Sequence, residues 1–152
     1  MRILIFSDSH GSARNLREAL LRHPDITDVV HLGDGNRECE SIADAFADHT
    51  FYTVAGNCDF ACHAPGMRLE TFCGKMVMLT HGHLYGVKGG YYTVECAAKE
   101  RGANLCLFGH THVPFAEYAD GLYLFNPGSL KDGNYGIADI SAAGIVTRHM
   151  KL

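Results

Sequence analysis

The sequence predicts a mixed α/β fold in which two β-sheets pack face to face with helices outside them. In the first part of the chain, short apolar runs alternate with amphipathic segments, which is typical of parallel βαβ units. In the last part, apolar runs are joined by short turns, which is typical of antiparallel hairpins. The 152 residues are 47% hydrophobic, so residues 1–152 can form one domain whose core needs neither a disulfide nor a structural metal.

The front of the chain is predicted to hold three strands and two helices. The strands are expected at residues 2–7, 28–32 and 51–55. The first helix is expected over residues 12–22, with Ser12 as its N-cap and an apolar face directed at the sheet. The second helix follows "GDGN" at residues 33–36 and carries its apolar residues on one side. This order predicts parallel strands joined by helical crossovers.

The back of the chain is predicted to be richer in hairpins. A hairpin is expected over 67–72 and 75–80, a helix over 91–101, and a buried strand over 104–108. A second hairpin turns at Asp120-Gly121, two residues that tolerate the positive φ of a type I′ turn. A third hairpin is expected over residues 134–150, and "NPGSL" from residue 126 is expected to close a strand near the functional site.

The composition argues against several classes of partner. The net charge is −4 and the 13 Lys and Arg residues are scattered, so the chain has no basic stripe for nucleic acid. No apolar run is as long as a membrane span, and the run after Arg2 ends at Ser7, too early for a signal-peptide core. We therefore expect a cytoplasmic protein without a nucleic-acid or membrane partner. An exposed antiparallel edge leaves a homo-oligomer open.

Four of the six cysteines lie in apolar patterns, and we expect them to be buried thiols rather than disulfide partners. They are Cys39, Cys73, Cys96 and Cys106. The other two belong to "GNCDFACH", where Cys58, Cys62 and His63 could form a zinc clasp. That hypothesis is disfavoured because no fourth ligand follows at an evident spacing.

Side chains that can bind a metal follow five predicted strands at the point where each strand ends. They are Asp8, His10, Asp34, Asn57, His81, His110 and His112. Because ligands bind at the carboxyl ends of strands in open α/β sheets, we expect these side chains to converge. A single Asp or His after a strand is often only a turn or a satisfied histidine, but five such placements in one chain are poorly explained by chance.

The donor set predicts a dinuclear hydrolase. Four imidazoles, two carboxylates and one amide are too many for a single tetrahedral ion and suit two divalent ions that share a bridging carboxylate. Two ions about 3.5–4 Å apart typically promote an in-line displacement at phosphorus. The donors suit manganese, which is the expected ion, and are also compatible with iron, zinc or nickel.

The ordered motifs resemble those of the calcineurin-like metallophosphoesterases. The motifs are "DSH" at 8–10, "GD" at 33–34, "GN" at 56–57, "HGH" at 81–83 and "GHTH" at 109–112. The compact length and "NPGS" at 126–129 are similar to the small prokaryotic phosphodiesterase subfamily. The resemblance implies a four-layer αββα sandwich of two mixed sheets flanked by helices.

The resemblance also implies a ligand set and a reaction. One ion would be held by Asp8, His10 and His112, and the other by Asn57, His81 and His110, with Asp34 bridging the two. A metal-bridging hydroxide would attack phosphorus directly and hydrolyse a small-molecule phosphodiester. The alternatives are a phosphomonoesterase or nucleotidase, which the scarcity of basic residues near the motifs disfavours, and a non-catalytic scaffold of the same fold.

The predicted catalytic residues are Asp34, Asn57, Cys58 and Asp59, and the predicted substrate contacts are Asn36, Cys58 and His83. Many family members have histidine where this chain has Cys58, and a thiol is a poorer proton donor than an imidazolium at neutral pH. We therefore expect weaker help to the leaving group. Asp59 could share that role, could orient His10, or could be a plain turn carboxylate. Arg37 also follows Asp34 closely enough to touch a phosphate and is alternatively a solvated residue at a helix start, and His83 is alternatively an exposed loop histidine.

Overall fold

The computed structural model describes residues 1–152 and contains ten strands and three α-helices. The front half comprises β1 (Arg2–Phe6), α1 (Ala13–Arg22), β2 (Asp28–His31), α2 (Asn36–Ile42) and β3 (Thr50–Thr53). The middle comprises β4 (Met67–Phe72), β5 (Lys75–Thr80), α3 (Tyr92–Glu100) and β6 (Leu105–Leu107). The last part comprises β7 (Phe115–Ala119), β8 (Leu122–Asn126), β9 (Asn134–Ser141) and β10 (Gly144–Lys151). Short 3₁₀ turns occupy Ala43–Phe46, His83–Tyr85 and Leu130–Asp132.

The strands form two mixed five-stranded sheets. The first has the order β10-β9-β1-β2-β3, in which β1, β2 and β3 are parallel, β9 is antiparallel to β1, and β10 is antiparallel to β9. The second has the order β4-β5-β6-β8-β7, in which β5, β6 and β8 are parallel and both edge strands are antiparallel. Each sheet therefore presents the carboxyl ends of three parallel strands, and the loops that follow them build the candidate site.

Side chains alternate between two cores along each inner strand. Ile3 and Ile5 of β1 lie in the core between the sheets, together with residues such as Phe125 of β8. Leu4 and Phe6, which point the other way, pack against the buried face of α1. A third core lies between α3 and the outer face of the second sheet. The predicted αββα sandwich is thus confirmed.

Several local predictions can be compared with the structure. Asp120 and Gly121 both have positive φ, 51° and 82°, as a type I′ turn requires. Ser12 occupies the N-cap position of α1, but its side chain makes no capping hydrogen bond. All six cysteines are free, including the four expected to be thiols rather than disulfide partners. The burial expected for Cys73 is wrong, because Cys73 lies exposed in the β4–β5 turn with a φ of 49°, and Cys96 is only half-buried.

None of the helices combines the length and the apolar character that crossing a membrane would require.

Candidate metal centre

The loops that follow the parallel strands bring the seven predicted ligand residues together at one edge of the sandwich. Three of them form a buried floor, namely Asp8, Asp34 and His81. The side chains of His10 and His112 are 26% and 42% exposed, so the opposite side of the cluster is open to solvent. This open, shallow arrangement agrees with the absence of any large insertion in the loops.

Asp8, His10 and His112 form what we call the first ligand group. Asp8 Oδ1 lies 3.1 Å from His112 Nε2 and 3.7 Å from His10 Nε2. The two imidazole nitrogens are 3.3 Å apart. Three donor atoms from two loops therefore point into one small space.

Asn57, His81 and His110 form the second ligand group. His81 Nε2 lies 3.1 Å from Asn57 Oδ1 and 3.1 Å from His110 Nδ1. The three residues follow β3, β5 and β6, so this group joins the two sheets.

Asp34 lies between the two ligand groups. Its Oδ2 atom is 3.8 Å from His10 Nε2 of the first group and 3.5 Å from His81 Nε2 of the second. Its Oδ1 atom accepts a hydrogen bond of 2.7 Å from the Cys58 backbone N–H. Oδ1 of Asp34 is thus held by a backbone hydrogen bond, and Oδ2 faces both ligand groups.

Asp8 divides its two oxygens in the same way. Oδ2 accepts hydrogen bonds from the Ser7 hydroxyl and from the His110 backbone N–H, at 2.5 and 3.0 Å. Oδ1 is buried and receives no hydrogen bond, although it faces the imidazoles. A buried carboxylate oxygen without a donor is costly unless a cation supplies the missing interaction.

The tautomer of His81 also suits a cation. Its Nδ1 lies 2.8 Å from the Leu32 carbonyl oxygen, which can only accept, so Nδ1 carries the proton. The lone pair of Nε2 then points at the cluster, which is how metal-binding histidines are usually oriented. Without a shared cation, this lone pair would face the polar atoms of Asn57 and His110 at close range.

The donor separations fit a shared ion. Two donors that lie about 2.1 Å from one ion are roughly 3.0–3.4 Å apart when the angle between them is about 90–109°. The shortest separations within the two ligand groups are 3.1, 3.3, 3.1 and 3.1 Å. The residues present therefore fit divalent metal ions, with the carboxylate, imidazole and amide donors that such ions accept.

Backbone strain is concentrated in this cluster. Five of the seven candidate ligands have positive φ, and they are Asp8, His10, Asp34, His110 and His112. Only three other non-glycine residues share this conformation. Because the left-handed region costs about 1–2 kcal/mol per residue and is tolerated best by Asp, Asn and His, its repeated use here indicates a functional constraint.

Charge within the cluster favours a cation near His81. Burial would lower the pKa of His81, but the Asp8 and Asp34 carboxylates outweigh burial and raise it. Burial opposes ionisation of Asp34 too, yet the neighbouring His81 imidazole and the hydrogen bond from the Cys58 backbone N–H hold the pKa of Asp34 well below its usual value. Burial, His81 and Lys88 lower the pKa of His110 to about 4, so this imidazole is neutral, as a ligand must be.

Asp59 is a bracing residue rather than the proton donor or His10 partner considered from the sequence. Its oxygens accept backbone N–H groups of Asp34, Gly35, Asn36 and Gly56 at 2.7–3.1 Å. Burial tends to raise the pKa of Asp59, but these bonds lower it overall, so Asp59 is ionised at neutral pH. It ties the loop of Asp34 to the loop after β3.

Asn36 is engaged in the same brace. It is only 4% exposed, and its amide nitrogen donates to the Val54 carbonyl at 3.0 Å and to Asp59 Oδ2 at 2.7 Å. This environment argues against the predicted contact between Asn36 and a substrate phosphate. The contact was expected because Asn36 follows Asp34 closely in sequence, but α2 begins there and turns the side chain inward.

Cys58 is exposed and lies against the open side of the cluster. Its Sγ belongs to a group with His10 and Asp34 in which all ligand atoms are within 4.8 Å of one another. Burial and the Asp34 carboxylate raise the pKa of the Cys58 thiol. Cys62 and His63 take part in no such group, so the zinc clasp finds no support.

His83 lies beside the second ligand group. Its ring centroid is 5.3 Å from that of His81 and 6.1 Å from that of His110. Burial and the neighbouring His81 lower the pKa of His83. A contact between His83 and substrate stays a prediction, and its position is compatible with one.

The sequence reading missed a buried network beneath the first ligand group. The Ser9 hydroxyl donates to Glu38 Oε1 at 3.0 Å and lies 3.2 Å from His31 Nε2. The Gly33 N–H donates to His31 Nδ1, and the Gly11 N–H donates to Glu38. Burial lowers the pKa of His31 to about 4. The network fixes the loop that carries Asp8 and His10. In the sequence, only the presence of His31 and Glu38 among apolar residues indicates it.

The turn after β8 holds the same loop from the other side. The Ser129 hydroxyl and the Lys131 N–H both donate to the Asp8 carbonyl oxygen, at 2.9 and 3.2 Å. The fully buried Asn126 donates to the Gly109 carbonyl and to the Thr111 hydroxyl, each at 3.0 Å. The "NPGS" turn therefore joins the loops of both ligand groups.

Comparison with known proteins gives consistent results. A family model described as calcineurin-like phosphoesterase superfamily domain matches residues 1–143. The probable metallophosphoesterase YsnB of Bacillus subtilis (strain 168) is 36% identical over 132 residues, which are 86% of this chain and 76% of that protein. The phosphodiesterase YfcE of Escherichia coli K12 is 29% identical, over 96% of this chain and 91% of that protein.

Solved structures share the fold. A conserved uncharacterised protein from Streptococcus pneumoniae TIGR4, described as a predicted phosphoesterase, superposes with a TM-score of 0.82 at 25% identity. The superposition covers 99% of this chain and 88% of that one. The similarity therefore extends over both sheets and all the loops of the candidate centre.

Proposed function

The chain belongs to the calcineurin-like phosphoesterase superfamily, and from this premise we propose that it is a phosphodiesterase that uses two divalent metal ions to hydrolyse a small-molecule phosphodiester. The expected ion is manganese, with iron, zinc and nickel compatible with the donors. The reaction is hydrolysis of a phosphate ester without a covalent enzyme intermediate.

The position of Asp34 carries the proposal. Its Oδ2 atom lies within 3.8 Å of a histidine nitrogen of each ligand group. A carboxylate oxygen that faces two sets of donors is the feature expected of a bridging ligand between two ions. The first ligand group and the second ligand group would each hold one ion, with Asp34 shared between them.

Two divalent ions held by these residues would supply a water nucleophile at neutral pH and would offset the negative charge that develops on the phosphoryl oxygens. The residues of this chain hold the ligand side chains in place. Asp8 and Asp34 are held by backbone N–H groups, so their free oxygens keep a fixed direction. Asn57 and His81 are placed by loops that Asp59 and Leu32 anchor. Such fixed polar groups need little rearrangement during reaction.

Charge beside the centre favours a diester over a monoester. A dianionic monoester usually gains from several Arg or Lys side chains that clamp its oxygens. The basic side chains near the centre are few: Arg37 lines the adjacent cavity and is exposed, and Lys88 lies near enough to His110 to lower the pKa of that imidazole. A monoanionic diester needs less positive charge than this clamp would supply.

The test is a comparison of rates on bis-p-nitrophenyl phosphate and p-nitrophenyl phosphate with added manganese. We expect turnover of the diester to exceed that of the monoester, to vanish on chelation, and to fall about 100-fold or more in Asp34→Asn. Asp44→Asn changes an exposed carboxylate away from the centre and serves as the matched control. Faster turnover of the monoester would support a phosphomonoesterase instead, and metal-independent turnover would refute the proposal.

A further inference from the structure

A cavity of about 360 Å³ opens directly beside the candidate metal centre. We call it the side cavity; it is bounded by residues 34–38, Glu40 and residues 58–62, together with His10 and Gly11. His10 and Asp34, which line the side cavity, are also candidate metal ligands. A molecule with its phosphate at the centre would therefore extend one of its groups into the side cavity.

The size of the side cavity limits what it can hold. Ligand pockets in proteins usually measure about 300–1,000 Å³, so 360 Å³ lies at the small end. This volume suits one ring system rather than an extended polymer. The scattered Lys and Arg residues also form no basic stripe that could bind a nucleic-acid polymer.

Phe60 gives the side cavity an unpartnered aromatic surface. Its side chain lines the cavity and the residue is 78% exposed. Many other aromatic rings of the chain pack against one another, as Tyr91 does against Phe108 and Phe115, but Phe60 contacts no other ring. An exposed aromatic ring beside a polar reaction centre offers a stacking face for a planar group.

The polar groups of the side cavity divide into two sets. Glu38 and Asp59 are occupied by hydrogen bonds from the protein itself. The side chains of Arg37 and Glu40 are exposed, lie one turn apart on α2, and take part in no hydrogen bond or ion pair. Arg37 can therefore donate, and Glu40 can accept, a hydrogen bond at the edge of a bound ring.

We propose that the side cavity binds a planar aromatic substituent of the phosphodiester, which stacks on Phe60 while the phosphate lies at the metal centre. This inference rests on the proposed function, because it assumes that the centre receives a phosphate. Phe60 is then a residue that determines specificity, and the substrate class is an aryl or nucleoside phosphodiester. Aliphatic diesters lack the group that the cavity accepts.

The experiment measures binding by calorimetry on the manganese-loaded protein. The probes are methylphenylphosphinate and dimethylphosphinate, two monoanions with no ester bond to hydrolyse, which differ only in the ring. We expect the phenyl probe to bind about tenfold more tightly, which corresponds to about 1.4 kcal/mol, because its ring stacks on the Phe60 side chain. In Phe60→Ala this ratio should approach one, and in Phe60→Tyr it should persist.

Tyr92→Ala is the matched control, since Tyr92 is also 78% exposed but lies on α3, away from the side cavity. It should keep the wild-type ratio. A third probe, 5′-deoxyadenosine that carries a methylphosphinate bonded through phosphorus to C5′ and so also has no ester bond, separates the two aromatic classes: tighter binding than the phenyl probe indicates a nucleoside diester, and equal or weaker binding indicates a simple aryl diester.

Two outcomes overturn the inference. Equal affinity of the wild type for both phosphinates, or an unchanged ratio in Phe60→Ala, would show that the ring is not bound on Phe60. Turnover of bis-p-nitrophenyl phosphate is measured on the same preparations. If turnover is present in either case, only the side-cavity assignment fails; if turnover is absent and neither phosphinate binds, the proposed function fails with it.

Discussion

At the scale of single residues, the candidate ligands serve the backbone as well as the cluster. Asp8, Asp34 and His10 occupy left-handed conformations with φ of 55°, 55° and 42°. Asp and His are among the few residue types that tolerate this region, so the same side chains permit the sharp turns and supply the donors. A β-branched or large apolar residue at these positions would be costly even in the absence of metal.

His31 should make stability depend on pH. It is fully buried and its pKa falls from 6.5 to about 4, so the folded protein holds it neutral. In the unfolded chain His31 takes up a proton below pH 6.5. The contribution of neutral His31 to the free energy of unfolding is therefore present above pH 6.5 and is lost as the pH falls towards 4. The shift corresponds to about 3 kcal/mol. The His31→Gln variant retains a donor for Ser9. Its free energy of unfolding, measured by chemical denaturation, should fall less between pH 7 and pH 4 than that of the wild type.

The exposed His63 provides the control for this prediction, since His63→Gln should leave the difference in unfolding free energy between pH 7 and pH 4 as in wild type. An equal loss of stability in His31→Gln and wild type would mean that the carboxylates alone cause the acid sensitivity.

Cys58 should set which leaving groups are expelled easily. It lies beside His10 and Asp34, where many family members place an imidazole that can protonate the departing oxygen. Because general acid catalysis contributes about 10²–10⁴-fold, Cys58→His should raise the rate on methyl phenyl phosphate by about tenfold or more relative to bis-p-nitrophenyl phosphate, whose leaving group needs no proton. Steady-state kinetics on both esters measure the ratio.

Cys62→His adds the same imidazole four residues further along the loop, outside any metal-competent group, and should leave this ratio unchanged. If Cys58→His also leaves it unchanged, the position does not assist the leaving group.

At the scale of structural elements, the loop after β6 depends on a glycine. A side chain at Gly109 would overlap Ser7 Oγ and Asp8 Oδ2. The "GHTH" loop therefore packs directly on the Asp8 loop, and this contact sets the distance between His110, His112 and Asp8. Gly109→Ala should lower the unfolding free energy by about 1–3 kcal/mol and weaken manganese binding, because overpacking must displace one of the two loops.

Thermal denaturation of the metal-free protein and a manganese titration measure these two effects. Gly144 in β10 has open space around it and no positive φ, so Gly144→Ala should change neither quantity. Wild-type stability and manganese affinity in Gly109→Ala would show that the two loops need not touch.

The regular elements were largely predictable, because each follows from local periodicity. Every strand expected from apolar runs is present, with ends that differ by at most two residues. The second helix is the main departure: α2 ends at Ile42 and continues as a 3₁₀ turn over Ala43–Phe46. The apolar pattern marks the buried face through Phe46 but does not distinguish the two hydrogen-bond periods.

At the scale of the whole molecule, the seven donors could be located from the sequence because each follows a strand, and parallel strands end at a common edge. The supporting residues could not. Ser9, His31 and Glu38 come from three separate segments, and only the packing of α2 against the first sheet brings them within hydrogen-bond distance. Asn36 follows Asp34 in the sequence, which predicts a contact with substrate. Proximity in sequence does not reveal side-chain direction, and the Asn36 side chain points into the protein instead.

Anomalous scattering from crystals grown with manganese tests whether the strand-end side chains hold two ions that share Asp34. We expect two peaks per chain, one within the first ligand group and one within the second, each adjacent to Asp34. A single peak in one group, or a peak at Cys58, Cys62 and His63 instead, would show that Asp34 does not bridge two ions.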